Sequence, residues 1–518
     1  MLFCACKKVS DSPSWDVAVK GPLLHASMGI ENLLPDVRVV ANPDSTLNII
    51  YDTDVFHVDV DSIFQIPDTT IPTFYSWQAF PFPVNPNATF YSSNNHVTLG
   101  ISGVQLNRMT VRSGKLKIDI RNPLPAKIKF TYTIPGASLN GHPFQVIQKV
   151  DSGSHSSPGL FTGIFDLSGY SLDLSGTGSQ FNTLNYSVIA SADSSAQTFS
   201  LIFGDTVMNL HTSMLDIVPS YAHGYLGQNT INNSQESNVG IGKLIRGGSI
   251  LIDSVKMLLS IDNGIGADAQ AFVRSIKSAN SLTGDTVDLV APSVLNRYFN
   301  INRASETGNP LSPVNQTHTL IQLDNTNSNI TAFIENIPDV IKDDLTIGLN
   351  PLGNHAGYND FVYTDYLVNT HLHMEMPLKF AANELMLVDT ENFIFSDLTD
   401  PANIGQSTLT LLADNGFPFS VRIQLILLDQ SNNVLDSLFS PAPTVAAAPV
   451  GGNGIVSGIT RTELSVPVNA DRKAKITAAR KMAIRSILNT DSYPLTRSIL
   501  STYKIQIKLI ADGIYTVH

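Results

Sequence analysis

Leu116-Lys117-Ile118-Asp119-Ile120-Arg121-Asn122-Pro123-Leu124-Pro125-Ala126-Lys127-Ile128-Lys129-Phe130 is the stretch from which the fold can be read. Apolar and polar residues alternate on both sides of Asn122-Pro123, and a period of two belongs to a strand with one buried face. Asparagine tolerates unusual backbone angles and bonds to nearby amides, while proline interrupts a ladder. The unit reads as strand, bend, strand. Leu124, inside the bend, is free to tuck into a core.

The unit returns twice. Leu258-Leu259-Ser260-Ile261-Asp262 runs into Asn263-Gly264-Ile265-Gly266 and then Ala267-Asp268-Ala269. Leu409-Thr410-Leu411-Leu412-Ala413-Asp414 runs into Asn415-Gly416-Phe417-Pro418 and then Phe419-Ser420-Val421-Arg422-Ile423-Gln424-Leu425. Asn122, Asn263 and Asn415 stand 141 and 152 residues apart, a domain-sized period. A partial copy, Leu345 to Gly353 around Asn350-Pro351, has the strand and turn but no clean second strand.

The expected fold class is mainly all-β: tandem immunoglobulin-like β-sandwich domains with few short helices. The expected boundaries are a tether over 1–20, an N-terminal β-region over 21–110, and sandwich repeats over 111–245, 246–385 and 386–518. One helix is expected, capped by Asn469 and running through Arg472, Lys473, Ile476 and Ala479. Strands at 482–488 and 503–509 follow it.

Composition narrows the function. The chain has 518 residues, of which 43% are hydrophobic and only 15% charged, with a net charge of -12. Phosphate backbones and anionic membrane faces are repelled overall, which argues against nucleic acid as a partner. No stretch is long and apolar enough for a membrane helix. The only cysteines, Cys4 and Cys6, leave nothing later for a disulfide or a thiolate metal site.

Those cysteines sit in Leu2-Phe3-Cys4-Ala5-Cys6-Lys7-Lys8, which resembles the end of a bacterial lipoprotein signal. Ala5 before it makes Cys6 the better acylation candidate and Cys4 the runner-up. A signal also needs a charged start and an apolar run of about 7–15 residues, so this reading expects more sequence ahead of Met1. With Trp15-Asp16-Val17-Ala18-Val19 and Ile337-Pro338-Asp339-Val340-Ile341, the chain resembles the uncharacterised multi-domain envelope lipoproteins of Bacteroidota. The strand–Asn-Pro–strand element resembles the β-sandwich of the late-embryogenesis-abundant type-2 (water-stress) domains. Asp-Ser/Thr-aliphatic or Asp-Ser/Thr-Thr triplets at Ser62, Thr69, Thr206, Ser254, Thr286 and Ser437 resemble O-glycan acceptors of the same bacterial group. These resemblances imply an outer-membrane-anchored envelope protein and bring no reaction with them.

Candidate chemistry is sparse. His371, His373 and Glu375 would share one face of a strand, and two imidazoles with a carboxylate suit zinc or non-haem iron. The competing reading is a solvent-facing stripe, with Leu372, Met374 and Met376 buried. Asp52, Asp54, Asp59 and Asp61 lack the Gly and terminal Glu of a calcium loop. Gly240-Ile241-Gly242-Lys243 is too short for a phosphate loop. Arg472, Lys473, Lys475, Arg480, Lys481 and Arg485 form a basic cluster that could dock an anionic lipid headgroup or an acidic partner, though a solvated helix face is the favoured reading. No catalytic residue and no cofactor is expected. The expected function is a lipid-anchored binding or scaffold module for an envelope protein or surface glycan. The alternatives are a metal-dependent or carbohydrate-active enzyme at His371, His373 and Glu375, or a carrier of an apolar ligand.

Overall fold

The computed structural model describes residues 15–29, 38–57, 63–239, 245–392 and 404–517. Antiparallel strands dominate them, with two short helices at Ile330–Glu335 and Ala470–Ala478. The protein is an all-β fold built of sandwiches.

Three eight-stranded units emerge from the pairing. The inner unit uses Thr69–Ser76, Thr89–Thr98, Gln105–Asn122, Ile128–Leu139, His142–Val150, Gly159–Asp166, Thr183–Ala192 and Thr206–Tyr225. The middle unit uses Leu47–His57, Asn229–Asn238, Lys256–Asn263, Ala269–Ala279, Tyr298–Ile301, Thr317–Leu323, Val340–Leu349 and Val368–Pro377. The outer unit uses Trp15–Met28, Lys379–Asn392, Ile404–Asn415, Ser420–Leu428, Thr444–Val445, Thr460–Val468, Lys481–Asn489 and Ile505–Val517.

Within each unit the first strand pairs with the eighth, the eighth with the third, and the third with the sixth. The second pairs with the seventh, the seventh with the fourth, and the fourth with the fifth. An immunoglobulin sandwich divides its strands 1-2-5-4 and 3-6-7. The order here, 1-8-3-6 against 2-7-4-5, is that of a jelly roll, the eight-stranded double Greek key.

The units are nested, which corrects the expected boundaries. The inner unit lies between the first and second strands of the middle one. Both lie between the first and second strands of the outer one. The first strands of all three therefore come early in the chain and in reverse order, and the region expected over 21–110 is no domain of its own. Trp15 pairs with Val517, so the first and last described strands lie side by side.

The bends are equivalent. Asn122, Asn263 and Asn415 end the third strands and are buried. Each accepts at Oδ1 from the amide of the second residue on: Leu124 at 3.1 Å, Ile265 at 2.9 Å and Phe417 at 2.9 Å. Each also donates through Nδ2 to a carbonyl just past the fifth strand: Asp151 at 2.8 Å, Asn302 at 2.7 Å and Ala446 at 2.9 Å. One side chain thus ties the crossing from one sheet to the other onto a third strand and leaves no buried amide orphaned. Leu124, Ile265 and Phe417 are buried in the core, a transfer worth about 1.5–3 kcal/mol each. Asn350 is different. It ends the seventh middle strand at φ 47° and donates to Gly227 and Asp360.

The cores show how the units meet. One cluster fills the inner sandwich and continues through Ile261, Ile265, Ala271, Ile347 and Val368 of the middle one. Another fills the outer sandwich and takes in Leu47 and Ile337 of the middle one. Among the described residues no cluster joins inner to outer, so the order is inner–middle–outer. Asp360–Tyr363, from the middle unit's seventh-to-eighth connection, extends the inner sheet by pairing with Tyr221–Gly224. Leu378 N donates to Leu47 O at 2.7 Å and Ser501 N to Ser45 O at 2.9 Å where middle meets outer.

The expected C-terminal helix spans Ala470–Ala478, and Asn469 caps it by accepting from Arg472 N at 2.9 Å. The strands after it run over Lys481–Asn489 and Ile505–Val517.

Candidate functional site

His371 and His373 lie on the outward face of the eighth middle strand. His373 Nδ1 meets Asp52 Oδ1 at 2.7 Å, and His371 Nδ1 meets Asp54 Oδ1 at 3.2 Å. The Asp54 hydrogen bond raises the His371 pKa above its ordinary value, and the bond from His373 lowers that of Asp52. Glu375, which would complete the metal set, accepts from Asn48 Nδ2 at 2.6 Å instead. Among the described residues no three His, Cys, Asp or Glu side chains converge to hold an ion. The neighbouring first strand places Asp52 and Asp54 beside the imidazoles, and Asp52 Oδ1 also stands 3.6 Å from His371 Nε2, so that Asp52 faces both histidines.

The other candidates resolve into local structure. Arg472 binds Asp436 at 2.9 Å and Lys475 binds Asp471 at 2.7 Å, so these cations answer nearby carboxylates. Cys4, Cys6, Asp59, Asp61, Ser62 and the stretch Gly240-Ile241-Gly242-Lys243 lie outside the described residues. Thr206, one of the glycan-acceptor positions, is buried, whereas Thr286 is exposed.

The sequence reading missed a trough of about 660 Å³ where the inner sandwich meets a loop of the middle one. The third inner strand supplies Asn107 and Arg108, the fourth supplies Ser138, and the short strand Ser171–Asp173 supplies its two ends. The following loop brings Ser175, Ser179, Gln180 and Phe181, the eighth strand brings His223, and the middle unit adds Tyr358. Phe181 and Tyr358 stack with centroids 4.4 Å apart at 22°, closing one wall across the junction.

Neighbours hold the polar groups in place. Asp173 Oδ1 accepts from the Ser175 amide at 3.0 Å and its hydroxyl at 2.5 Å. His223 Nδ1 meets Asn107 Oδ1 at 2.9 Å, and burial, helped by Arg108, holds its pKa below the ordinary value. Arg108 donates to the Tyr221 hydroxyl at 3.1 Å and lies 5.5 Å from its ring centroid, a cation–π distance. Tyr221 and Tyr363 both donate to Glu306 Oε1, at 2.9 and 3.0 Å. Burial, with the bond to Glu306, raises both phenols, Tyr363 to about 12. No local pattern could have found this trough, because its residues are scattered from Asn107 to Tyr358.

Among the described residues, Asp173 is the only carboxylate lining the trough.

No family model and no curated protein matches the chain. Three solved structures are similar to parts of it. A Parabacteroides distasonis protein thought to be secreted shares 16% identity, covering 57% of this chain and 92% of its own, with a TM-score of 0.30. A chain from a structure described as the triple jelly roll fold and turret assembly in an archaeal virus shares 12% identity over 88% of this chain and 92% of its own, with a TM-score of 0.12. A chain of Sulfolobus Turreted Icosahedral Virus shares 11% over the same fractions, with a TM-score of 0.11. At such values the fold assignment rests on the strand order described above. Among the described residues no helix is long and apolar enough to cross a membrane.

Proposed function

We propose that this chain is an exported, lipid-anchored scaffold of the bacterial cell envelope that presents its inner sandwich to a protein partner. The observation that carries this reading is the nesting. The first and last described strands are neighbours in the outer sandwich, and among the described residues the core of the inner sandwich is continuous with that of the middle one and not with that of the outer one. A lipid on Cys6, shortly before Trp15, would hold the outer unit at the membrane and leave the inner unit farthest along the stack. An acyl-modified cysteine with several chains is a firm anchor.

The surface offered for binding is the inner unit's free end. In the middle and outer sandwiches the first-to-second-strand connection at the matching end leads into the next sandwich. In the inner sandwich it is the short 77–88 loop, which includes the three-residue strand Phe82–Val84 paired with Phe199–Leu201. Trp77 N donates to Asp205 O and Gly204 N to Trp77 O, both at 2.8 Å, which brings residues 202–203 beside this loop. Phe80 is 91% and Phe203 71% exposed, and Phe82 and Ile202 accompany them. Uncovered aromatic groups of this kind mark protein-binding surfaces.

The test uses cells carrying the gene with its native upstream region. A photo-crosslinking amino acid at Phe80 or Phe203 should capture one discrete envelope protein, and Cys6→Ser should release the chain from the membrane fraction. A soluble wild-type chain with an unmodified Cys6 contradicts the localisation, and an absence of adducts at both positions contradicts the binding surface.

A further inference from the structure

Going beyond the scaffold reading, we infer that the trough at the inner–middle junction is a saccharide site that takes a segment of a neutral glycan. A volume of about 660 Å³ lies within the roughly 300–1,000 Å³ usual for ligand sites. Among the described residues the lining carries one cation, Arg108, and one carboxylate, Asp173, so these neither concentrate nor repel charge. The other polar groups are hydroxyl, amide and imidazole, a mixture of donors and acceptors suited to sugar hydroxyls, each of which both donates and accepts.

Preorganisation points the same way. Asp173 is pinned through Oδ1 by Ser175, which leaves Oδ2 as an acceptor. Gln180 Oε1 accepts from Thr177 N at 3.2 Å, which leaves its NH2 as a donor. His223 is oriented through Nδ1, leaving Nε2 on its other side. Groups whose rotamers are already held lose little freedom on binding. The stacked Phe181–Tyr358 wall spans the two sandwiches, so a bound glycan would contact both and brace the junction.

The experiment is affinity electrophoresis of the full chain through gels containing dextran, mannan, xylan or hyaluronan. Calorimetry follows with hexasaccharides of whichever neutral polymer retards it. The expected result is retardation by at least one neutral polymer and not by hyaluronan. Gln180→Ala and Asp173→Ala should each weaken hexasaccharide binding by about tenfold or more, with unchanged circular dichroism, while the exposed-site control Thr286→Ala binds as the parent does. Retardation by hyaluronan alone, by no polymer, or equally in both trough variants overturns the site. Crosslinking at Phe80 and Phe203 is unaffected by these variants, so failure here is distinguishable from failure of the scaffold reading.

Discussion

Asn263 donates its side-chain amide to the carbonyl of Asn302, 2.7 Å away, and so clamps the bend after the third middle strand to the end of the fifth. Asn122 with Asp151 and Asn415 with Ala446 repeat the relationship in the other two sandwiches. Replacing such an asparagine by alanine strands buried carbonyls and a buried amide, each worth about 1–3 kcal/mol. Asn263→Ala and Asn415→Ala should each cost on the order of 3 kcal/mol in urea unfolding. A loss below about 1 kcal/mol would show that the clamp is dispensable.

The residue after each asparagine follows from what packs on it. A Cβ on Gly264 would stand 2.2 Å from Tyr366 O, and one on Gly416 would stand 2.8 Å from Lys504 O. Both carbonyls belong to connections at junctions between sandwiches. At the free end of the inner sandwich the same position is Pro123, which is half-buried. Gly264→Ala should therefore destabilise more than Gly416→Ala, as compared by thermal unfolding. Equal melting temperatures would contradict this.

Asp360 is almost fully buried, accepting from Leu226 N at 3.2 Å and Asn350 Nδ2 at 2.7 Å, and burial raises its pKa. The folded chain then holds this proton to higher pH than the unfolded chain, whose value is near 3.8. Stability from this group is present below that value and is lost as pH rises through the raised one. Burial also raises the pKa of Asp343, which acts on stability with the same sign. Asp360→Asn should flatten part of the fall in urea midpoint above the ordinary carboxylate range. An unchanged profile would count against the assignment.

His371 runs the other way in chemistry but has the same sign in stability. Its Asp54 partner raises the folded pKa, so the stabilisation is full below about 6.5 and fades as pH climbs through the raised value. The imidazole is exposed and the effect small. A proton NMR titration should show His371 titrating above the ordinary histidine value, and Asp54→Asn should bring it down. Metal analysis of the purified protein should find no stoichiometric zinc or iron, with no change in His373→Ala.

Period-two alternation around Asn122, Asn263 and Asn415 made the strands and bends legible, and Asn469 marked its helix. Both signals are local. Nesting left no such mark, because an apolar strand face does not say which distant strand will cover it. Trp15 finds its partner at Val517, across nearly the whole chain. The trough was illegible for the same reason, while His371-Leu372-His373 stood out in sequence and proved to be paired with aspartates from a strand more than three hundred residues earlier.

Fragment folding tests the nested architecture most directly. Residues 63–228 contain every strand of the inner sandwich, whereas residues 229–518 lack the first strands of the other two. Under nesting, the first fragment unfolds cooperatively in urea alone. The second does so only when residues 15–57 are supplied as a separate peptide. Two cooperative, peptide-independent transitions in the 229–518 fragment would contradict it.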